Sequence, residues 1–306
     1  MRIGLSGGAA TTDALIDQAT RAEADGFASL WYASAIAADP LVAIALCGRA
    51  TTSIELGTSV LQTYTAHPVL QANRAISVAT AMGRPGFTLG LGPSHQAPVE
   101  GAYGLSYAHP GRHTEEYVSV VTAMLAGEAV DLDGDEFQVH VPGRGAPVDP
   151  PVPVLVAALA PRMLRVAGEQ TDGTILWMGN ARAVETHVAP RLTAAASAAG
   201  RPPPRIVAGL PVAVHDDVVE ARRAAGAMFA GYGDLPNYRR LLDIGGAAGP
   251  AEAAIVGDET AVEEQIRRLF DAGATDVWAA IFPVGSDKRA SRARTRRLLQ
   301  DLANRA

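Results

Sequence analysis

The sequence predicts an α/β fold of the (β/α)8 barrel class. Eight short apolar stretches between Ile3 and Phe282 are each followed by a helical stretch, and strands alternating with helices build a parallel sheet. The loops at the strand ends are rich in Gly, Ser and Pro, which punctuate such units. A chain of 306 residues is an ordinary length for this barrel. The whole of 1–306 reads as one domain, with insertions after strands 4 and 7. Barrels of this class carry their chemistry at the C-terminal ends of the strands, so function is sought there.

Strand 1 is Ile3 to Ser6, ending in Gly7-Gly8, and its helix has Thr12 or Asp13 as N-cap and stops at Asp25-Gly26. Strand 2, Ala28 to Tyr32, precedes a helix that starts near Asp39-Pro40. Strand 3 is Ile54 to Leu61, with a helix from His67-Pro68 to Met82. Strand 4 is Gly86 to Leu91, followed by an insertion over roughly 95–112 and a helix from His113 to Leu125. Val130–Leu132 and Phe137–Val139 flank Asp133-Gly134, a hairpin signal. Strand 5 is Val154 to Ala158, with a helix from Pro161; strand 6 is Thr174 to Trp177, with a helix ending at Gly200 before Pro202-Pro203-Pro204. Strand 7 is Ile206 to Val214. The stretch 216–272 is too long for one crossover and predicts two or three helices broken at Gly231-Tyr232-Gly233 and Gly245-Gly246. Strand 8, Val277 to Phe282, and a last helix close the chain.

Composition excludes several function classes. Hydrophobic residues make up 48%, enough for a large core, yet no apolar run has the ~20 residues of a membrane span. The start, Met1-Arg2-Ile3-Gly4-Leu5, enters a strand without a secretory leader, so a soluble cytoplasmic protein is expected. The single cysteine, Cys47, sits among Ala, Leu and Ile and reads as a core thiol rather than a nucleophile. Net charge is −6 with no basic stripe, which argues against nucleic acid. Lys288 is the one lysine, which argues against Schiff-base chemistry. No metal site is expected: His109 and His113 are four apart, but Pro110-Gly111 breaks the helix that would align them. Asp131, Asp133, Asp135 and Glu136 read as a solvated hairpin turn, and Glu115-Glu116 as a first-turn acid pair.

Four strand ends carry the remaining signal. They read Gly57-Thr58-Ser59-Val60-Leu61, then Gly90-Leu91-Gly92-Pro93-Ser94-His95, then Ala158-Leu159-Ala160-Pro161-Arg162-Met163-Leu164 with Ala167-Gly168, and Asp172-Gly173-Thr174-Ile175-Leu176-Trp177-Met178. Gly90-Leu91-Gly92 is no dinucleotide fingerprint, because the third glycine is absent. The helix at Pro161 offers backbone N–H groups of Leu159, Ala160 and Arg162 to an anion. Small side chains at Ala157, Ala158 and Ala160 would let a phosphate approach. Gly179-Asn180 after strand 6 could add donors.

In this order the four ends resemble the bacterial luciferase-like flavin superfamily, over essentially the whole chain. They look most like the branch that uses the deazaflavin F420, which includes methylenetetrahydromethanopterin reductase and F420-dependent glucose-6-phosphate dehydrogenase. Ile255-Val256-Gly257-Asp258 and Ala272-Gly273-Ala274-Thr275-Asp276 are also typical of that branch. The resemblance implies a cis peptide at Ser59-Val60, whose bulge presses on one face of the ring. It places Ser94 and His95 at the ring edge, with His95 either a proton donor or a hydrogen-bonding residue. Tyr64 and His67 become rim candidates for substrate contact or protonation. Trp31 and Trp177 would flank the ring, with plain core packing as the competing role. Ser6, Gly92, Met163, Met178 and Gly179 complete the implied cofactor contacts.

One departure matters. Sugar-phosphate members carry a His after strand 2 and a Glu after strand 4. Here those places read Tyr32-Ala33-Ser34-Ala35-Ile36 and Pro93-Ser94-His95, which argues against a sugar phosphate. The implied reaction is hydride transfer from the deazaflavin C5 to a C=C or C=N bond of a small metabolite. The segment 216–257 and the loop 95–112 would form the lid, with Tyr103, Tyr107, Phe229, Tyr232 and Tyr238 as its aromatic residues. The alternative is an FMN-dependent monooxygenase. A two-carboxylate hydrolase would need a strand-end pair that is not found. A non-enzymatic flavin-binding barrel is the third rival. The resemblance also implies a homodimer through the early helices, with the apolar stretch Leu41–Leu46 as its face.

Overall fold

The computed structural model describes residues 1–34 and 39–305. Its eight barrel strands are β1 (Arg2–Gly7), β2 (Ser29–Tyr32), β3 (Glu55–Thr58), β4 (Phe87–Gly92), β5 (Val154–Val156), β6 (Gly173–Trp177), β7 (Arg205–Val214) and β8 (Asp276–Ile281). Each pairs in parallel with the next. β8 returns to β1 through Arg2↔Asp276 to Leu5↔Ala279, which closes the ring. The helices that cover it are α1 (Thr12–Ala24), α2 (Pro40–Ala50), α3 (Pro68–Met82), α4 (Pro110–Ala126), α5 (Pro161–Gln170), α6 (Ala189–Ala198), α7 (Glu259–Asp271) and α8 (Lys288–Asn304). The predicted (β/α)8 barrel is the fold observed. Among the described residues no helix is long and apolar enough to cross a membrane.

Local chemistry sets most boundaries. Asp39 caps α2 by accepting from the Leu41 N–H, and Pro40 opens the helix where its missing donor costs nothing. The cap of α1 is Thr11, one residue before the expected Thr12. Strand 3 is shorter than the sequence suggested. It stops at Thr58, the chain bulges at Ser59-Val60, and Leu61–Gln62 resumes pairing with β4. A further strand that periodicity alone did not suggest, Ile255–Gly257, extends β7 outward. The insertion after β4 holds a short helix, Gln96–Gly101.

α4 begins at Pro110, three residues before the expected His113, so this proline starts the helix instead of breaking it. His109 and His113 are therefore on one helix end but point apart. His109 faces Glu136, and His113 bonds the Thr63 hydroxyl at 3.1 Å. Glu115 and Glu116 fall beyond the first turn. Glu116 accepts N–H donors of Asp135, Glu136 and Phe137, tying the hairpin to the helix. The hairpin, Val130–Asp133 against Gln138–Val141, pairs as predicted.

The barrel interior is filled below its mouth by Trp31, Leu155, Ile175, Val207 and Trp278. Two glycines make room for the indoles. A Cβ on Gly57 would lie 2.3 Å from the Trp31 ring, and one on Gly209 would lie 2.0 Å from that of Trp278. At the N-terminal end Arg2, Glu55, Arg205 and Asp276 close the barrel with a network of charges. Arg205 reaches Glu55 at 2.9 Å and Asp276 at 2.8 Å, and Arg2 reaches the same two at 2.5 and 2.6 Å. Cys47 is fully buried against the Tyr32 hydroxyl, and burial pushes its thiol up, so the core reading of this cysteine holds. The outer face of α2 and α3 exposes Val42, Leu46 and Leu70, on the side that the resemblance assigns to a second copy.

Candidate active site at the barrel mouth

The C-terminal ends of the strands enclose a cavity of about 720 Å³, counting its open mouth. Three strand ends build one wall. Ser59 and Val60 come from the bulge after β3, where the peptide between them is cis as the resemblance implies. Gly92, Pro93, Ser94 and His95 follow β4, and Ala157, Leu159, Ala160 and Met163 follow β5. On this wall Ser59, Gly92, Ala157 and Ala160 carry only small side chains or none. A Cβ on Gly92 would meet Val60 Cγ2 at 2.7 Å and Ala157 Cβ at 3.1 Å.

The facing wall is aromatic. Trp177 at the end of β6 stacks on Trp278 of β8, with centroids 5.1 Å apart and planes 24° apart. Phe229 and Tyr232 pack edge-on against Trp177 at 5.7 and 5.9 Å. The helix Pro236–Ile244 brings Asn237 and Tyr238 to the cavity. Tyr238 lies 5.0 Å from Tyr232 and 5.7 Å from the His95 ring. Part of the expected lid segment 216–257 thus lines the cavity.

The Ser59 hydroxyl and the indole N–H groups of Trp177 and Trp278, all side chains of this cavity, are buried with no partner among the described residues. Buried polar atoms are nearly always paired, and Gln71, Tyr117 and Gln170 hold other such atoms away from the cavity. Ser94 (φ 62°), two residues after β4, and Met178 (φ 64°), directly after β6, hold the left-handed backbone region. Burial lowers the His95 imidazole below its ordinary range, so the ring is neutral at pH 7.

The structure gathers Ser59, Val60, Gly92, Ser94, His95, Leu159, Ala160, Met163 and Trp177 on the cavity wall. Other candidates lie elsewhere. Trp31 is fully buried, donates to the Ser29 hydroxyl at 2.8 Å and packs in the barrel interior, outside the cavity lining. Ala158 and Met178 turn into the core. Ser6 lines a separate groove with Arg292 and Arg296. Gly179 packs near Leu176 and Leu241. The Arg162 guanidinium is held by Glu115 at 2.7 Å, which leaves its backbone N–H as its means of contact. The α5 N-cap, Ala160, supplies no side-chain acceptor to that first turn.

Tyr64 and His67, the expected rim residues, are not among those that line the cavity. Tyr64 stacks on His113 at 3.8 Å with planes 1° apart, and His67 is exposed and accepts from the Val69 N–H at the start of α3. Tyr107 donates to the Ser94 carbonyl at 2.9 Å and Tyr103 to the Gln62 carboxamide at 2.9 Å, so the loop after β4 is tied back to the wall. Tyr32 faces outward to Cys47, away from the mouth. Of the stretch after β2, Ala35 and Ile36 lie outside the described residues.

Reasoning from the sequence missed Trp278 and Asn237. It also missed His187, which is buried on the π-helical turn Val184–Val188 and donates from Nε2 to the Leu159 carbonyl at 2.9 Å. That bond fixes the loop that carries Leu159 and Ala160.

The closed parallel barrel with an aromatic-walled cavity at the C-terminal ends of its strands puts the chain in the (β/α)8 barrel class. The chain belongs to the luciferase-like monooxygenase family, which matches residues 2–303. It is similar to the 5,10-methylenetetrahydromethanopterin reductase of Methanolobus tindarius, with 28% identity over 296 residues, 87% of this chain and 89% of that one. Its fold is similar to that of the coenzyme F420 dependent tetrahydromethanopterin reductase from Methanopyrus kandleri (TM-score 0.79, 19% identity, 99% of this chain and 98% of that one). It is also similar to that of the oxygenating constituent of 3,6-diketocamphane monooxygenase from Pseudomonas putida in complex with FMN (TM-score 0.72, 18% identity, 99% and 97%).

Proposed function

We propose that this protein is an F420-dependent oxidoreductase acting on a C=C or C=N bond of a small metabolite. The observation that carries this reading is the flat wall of Ser59, Val60, Gly92 and Ala157 facing stacked indoles across a cavity with unpaired buried donors. Such a slot fits a planar tricyclic ring. The similarity to a methylenetetrahydromethanopterin reductase over 87% of the chain supports a deazaflavin as that ring. When bound, reduced F420 supplies a hydride to the acceptor carbon, and a proton completes the reduction.

The protein's own residues do the rest. Val60 and Gly92 support one ring face, and the Ser59 hydroxyl is a donor for a ring heteroatom. The first turn of α5, with the Arg162 and Met163 N–H groups and no side-chain cap, suits a phosphate. Trp177, Trp278 and Tyr238 exclude water from the reacting face. His95 is the polar group on the wall best placed to orient a substrate, or to pass on a proton taken from solvent. The fold similarity to an FMN-bound monooxygenase favours FMN as the second reading.

The test is a fluorescence titration of apoprotein with F420 and, separately, with FMN. Saturable binding of F420, at least tenfold tighter than FMN, is expected. Tight binding of FMN alone moves the function to oxygenation, with oxygen uptake as the next assay. Binding of neither removes the enzyme reading.

A further inference from the structure

The described residues that line the cavity include no lysine, arginine, aspartate or glutamate. The undescribed residues, 35–38 and 306, carry no ionisable side chain either. The one lysine, Lys288, begins α8 away from this lining, and Arg162 is engaged by Glu115. A carboxylate held against the indole wall, away from the first turn of α5, would lose its hydration and meet no opposite charge. The barrel order adds a second constraint. β4 and β8 stand four strands apart in the eight-stranded ring, so a flat group resting on Val60 and Gly92 leaves its other face toward Trp278. That remaining space is bounded by Trp177, Trp278 and Tyr238, with Asn237 and His95 at its edge.

Resting on the F420 reading above, we infer that the molecule reduced at this site is uncharged, planar and unsaturated, and that it packs against the Trp177–Trp278–Tyr238 wall. Aromatic walls reward a flat apolar ring by contact area and by stacking. The two polar side chains at its edge set its orientation. The Asn237 carboxamide both donates and accepts, and the His95 ring in its neutral form does the same, which suits a carbonyl or an imine nitrogen. Asn237 and Tyr238 both come from the Pro236–Ile244 helix, so this helix is the specificity-determining element of the site.

The experiment uses two probes of one shape, cyclohex-2-enone and its ring carboxylate. Each is titrated into the apoprotein by tryptophan fluorescence, and then turned over with reduced F420 without oxygen. The enone is expected to bind at least tenfold more tightly than the carboxylate. Tyr238→Ala is expected to lower enone affinity about tenfold and kcat/KM by at least as much, with F420 affinity unchanged within twofold. Asn237→Ala is expected to raise KM with less effect on kcat. Equal or tighter binding of the carboxylate overturns the inference, as does binding of neither probe. So does an enone affinity untouched by both substitutions. Preference for the enone in a protein that does not bind F420 would sink the cofactor reading and leave this one standing.

Discussion

The two ends of the same eight strands are built on opposite rules. At the N-terminal end Arg2, Arg205, Glu55 and Asp276 satisfy one another, and Thr88 and Thr275 donate to the two carboxylates at 2.6 Å. At the C-terminal end buried donors stand without acceptors, and two non-glycine residues hold left-handed backbone. A buried charge network is costly to open, whereas an orphaned donor is already paying its desolvation cost and gains from a ligand. The difference teaches where to look. The closed end secures the barrel, and the unfinished end is where barrels generally place their chemistry.

The sharpest way to break this contrast is at Asp276, whose side chain is 2% exposed. Burial raises its carboxyl, but Arg205, Thr275 and Arg2 outweigh that and hold it below the usual range. Asp276→Ala leaves buried positive charge less compensated and is expected to cost about 3–5 kcal/mol of stability. Urea unfolding measures the loss, while F420 affinity at low temperature stays within twofold. The sign in pH follows from the lowered folded value. The stabilisation is present above about pH 3.9, the unfolded value, and is lost as pH falls through the folded one. A variant that kept its stability and lost cofactor affinity would show that the closed end is part of the site.

The reverse test is at the mouth. Gly92→Val puts a side chain against Val60 and Ala157 at the distances already given, and overpacking of this kind costs about 1–3 kcal/mol. The larger readout is expected in binding, a loss of F420 affinity of about a hundredfold, or roughly 2.7 kcal/mol. Wild-type affinity in this variant would mean that the flat wall does not carry the ring.

Much of this was legible in the sequence. Alternating apolar and helical stretches place all eight strands within a few residues, because each strand is buried on both faces and reads as an apolar run. The motifs after strands 3, 4 and 5 point to nine residues that do reach the cavity. What failed is depth and distance. Trp31 faces inward as expected, but it packs against its neighbours in the barrel interior and does not reach the cavity lining. Trp278 sits in an apolar strand with no motif beside it, and Asn237 in a segment whose path only tertiary packing decides. Tyr64 is held by stacking on His113, 49 residues further along, and no local pattern reveals such a partner.

His113 offers the finest separation of the two ends. Its ring is buried between Tyr64, Tyr117 and Phe137, and burial lowers it from near 6.5 to about 4, against smaller raising effects from Thr63 and Glu116. The unfolded chain takes up this proton near pH 6.5 and the folded protein resists until about 4. Stability from this group is therefore whole above pH 6.5 and declines between 6.5 and 4, a window that lies above the one set by Asp276. His113→Gln keeps a partner for Thr63 and removes the titration. Thermal unfolding from pH 7 to 4.5 is expected to show a shallower decline in the variant, by about 2–4 °C over the range. Parallel curves would mean that the rim is not what mild acid loosens. A converging pair would place the first acid-labile contact beside the mouth, with the charge network still intact below it.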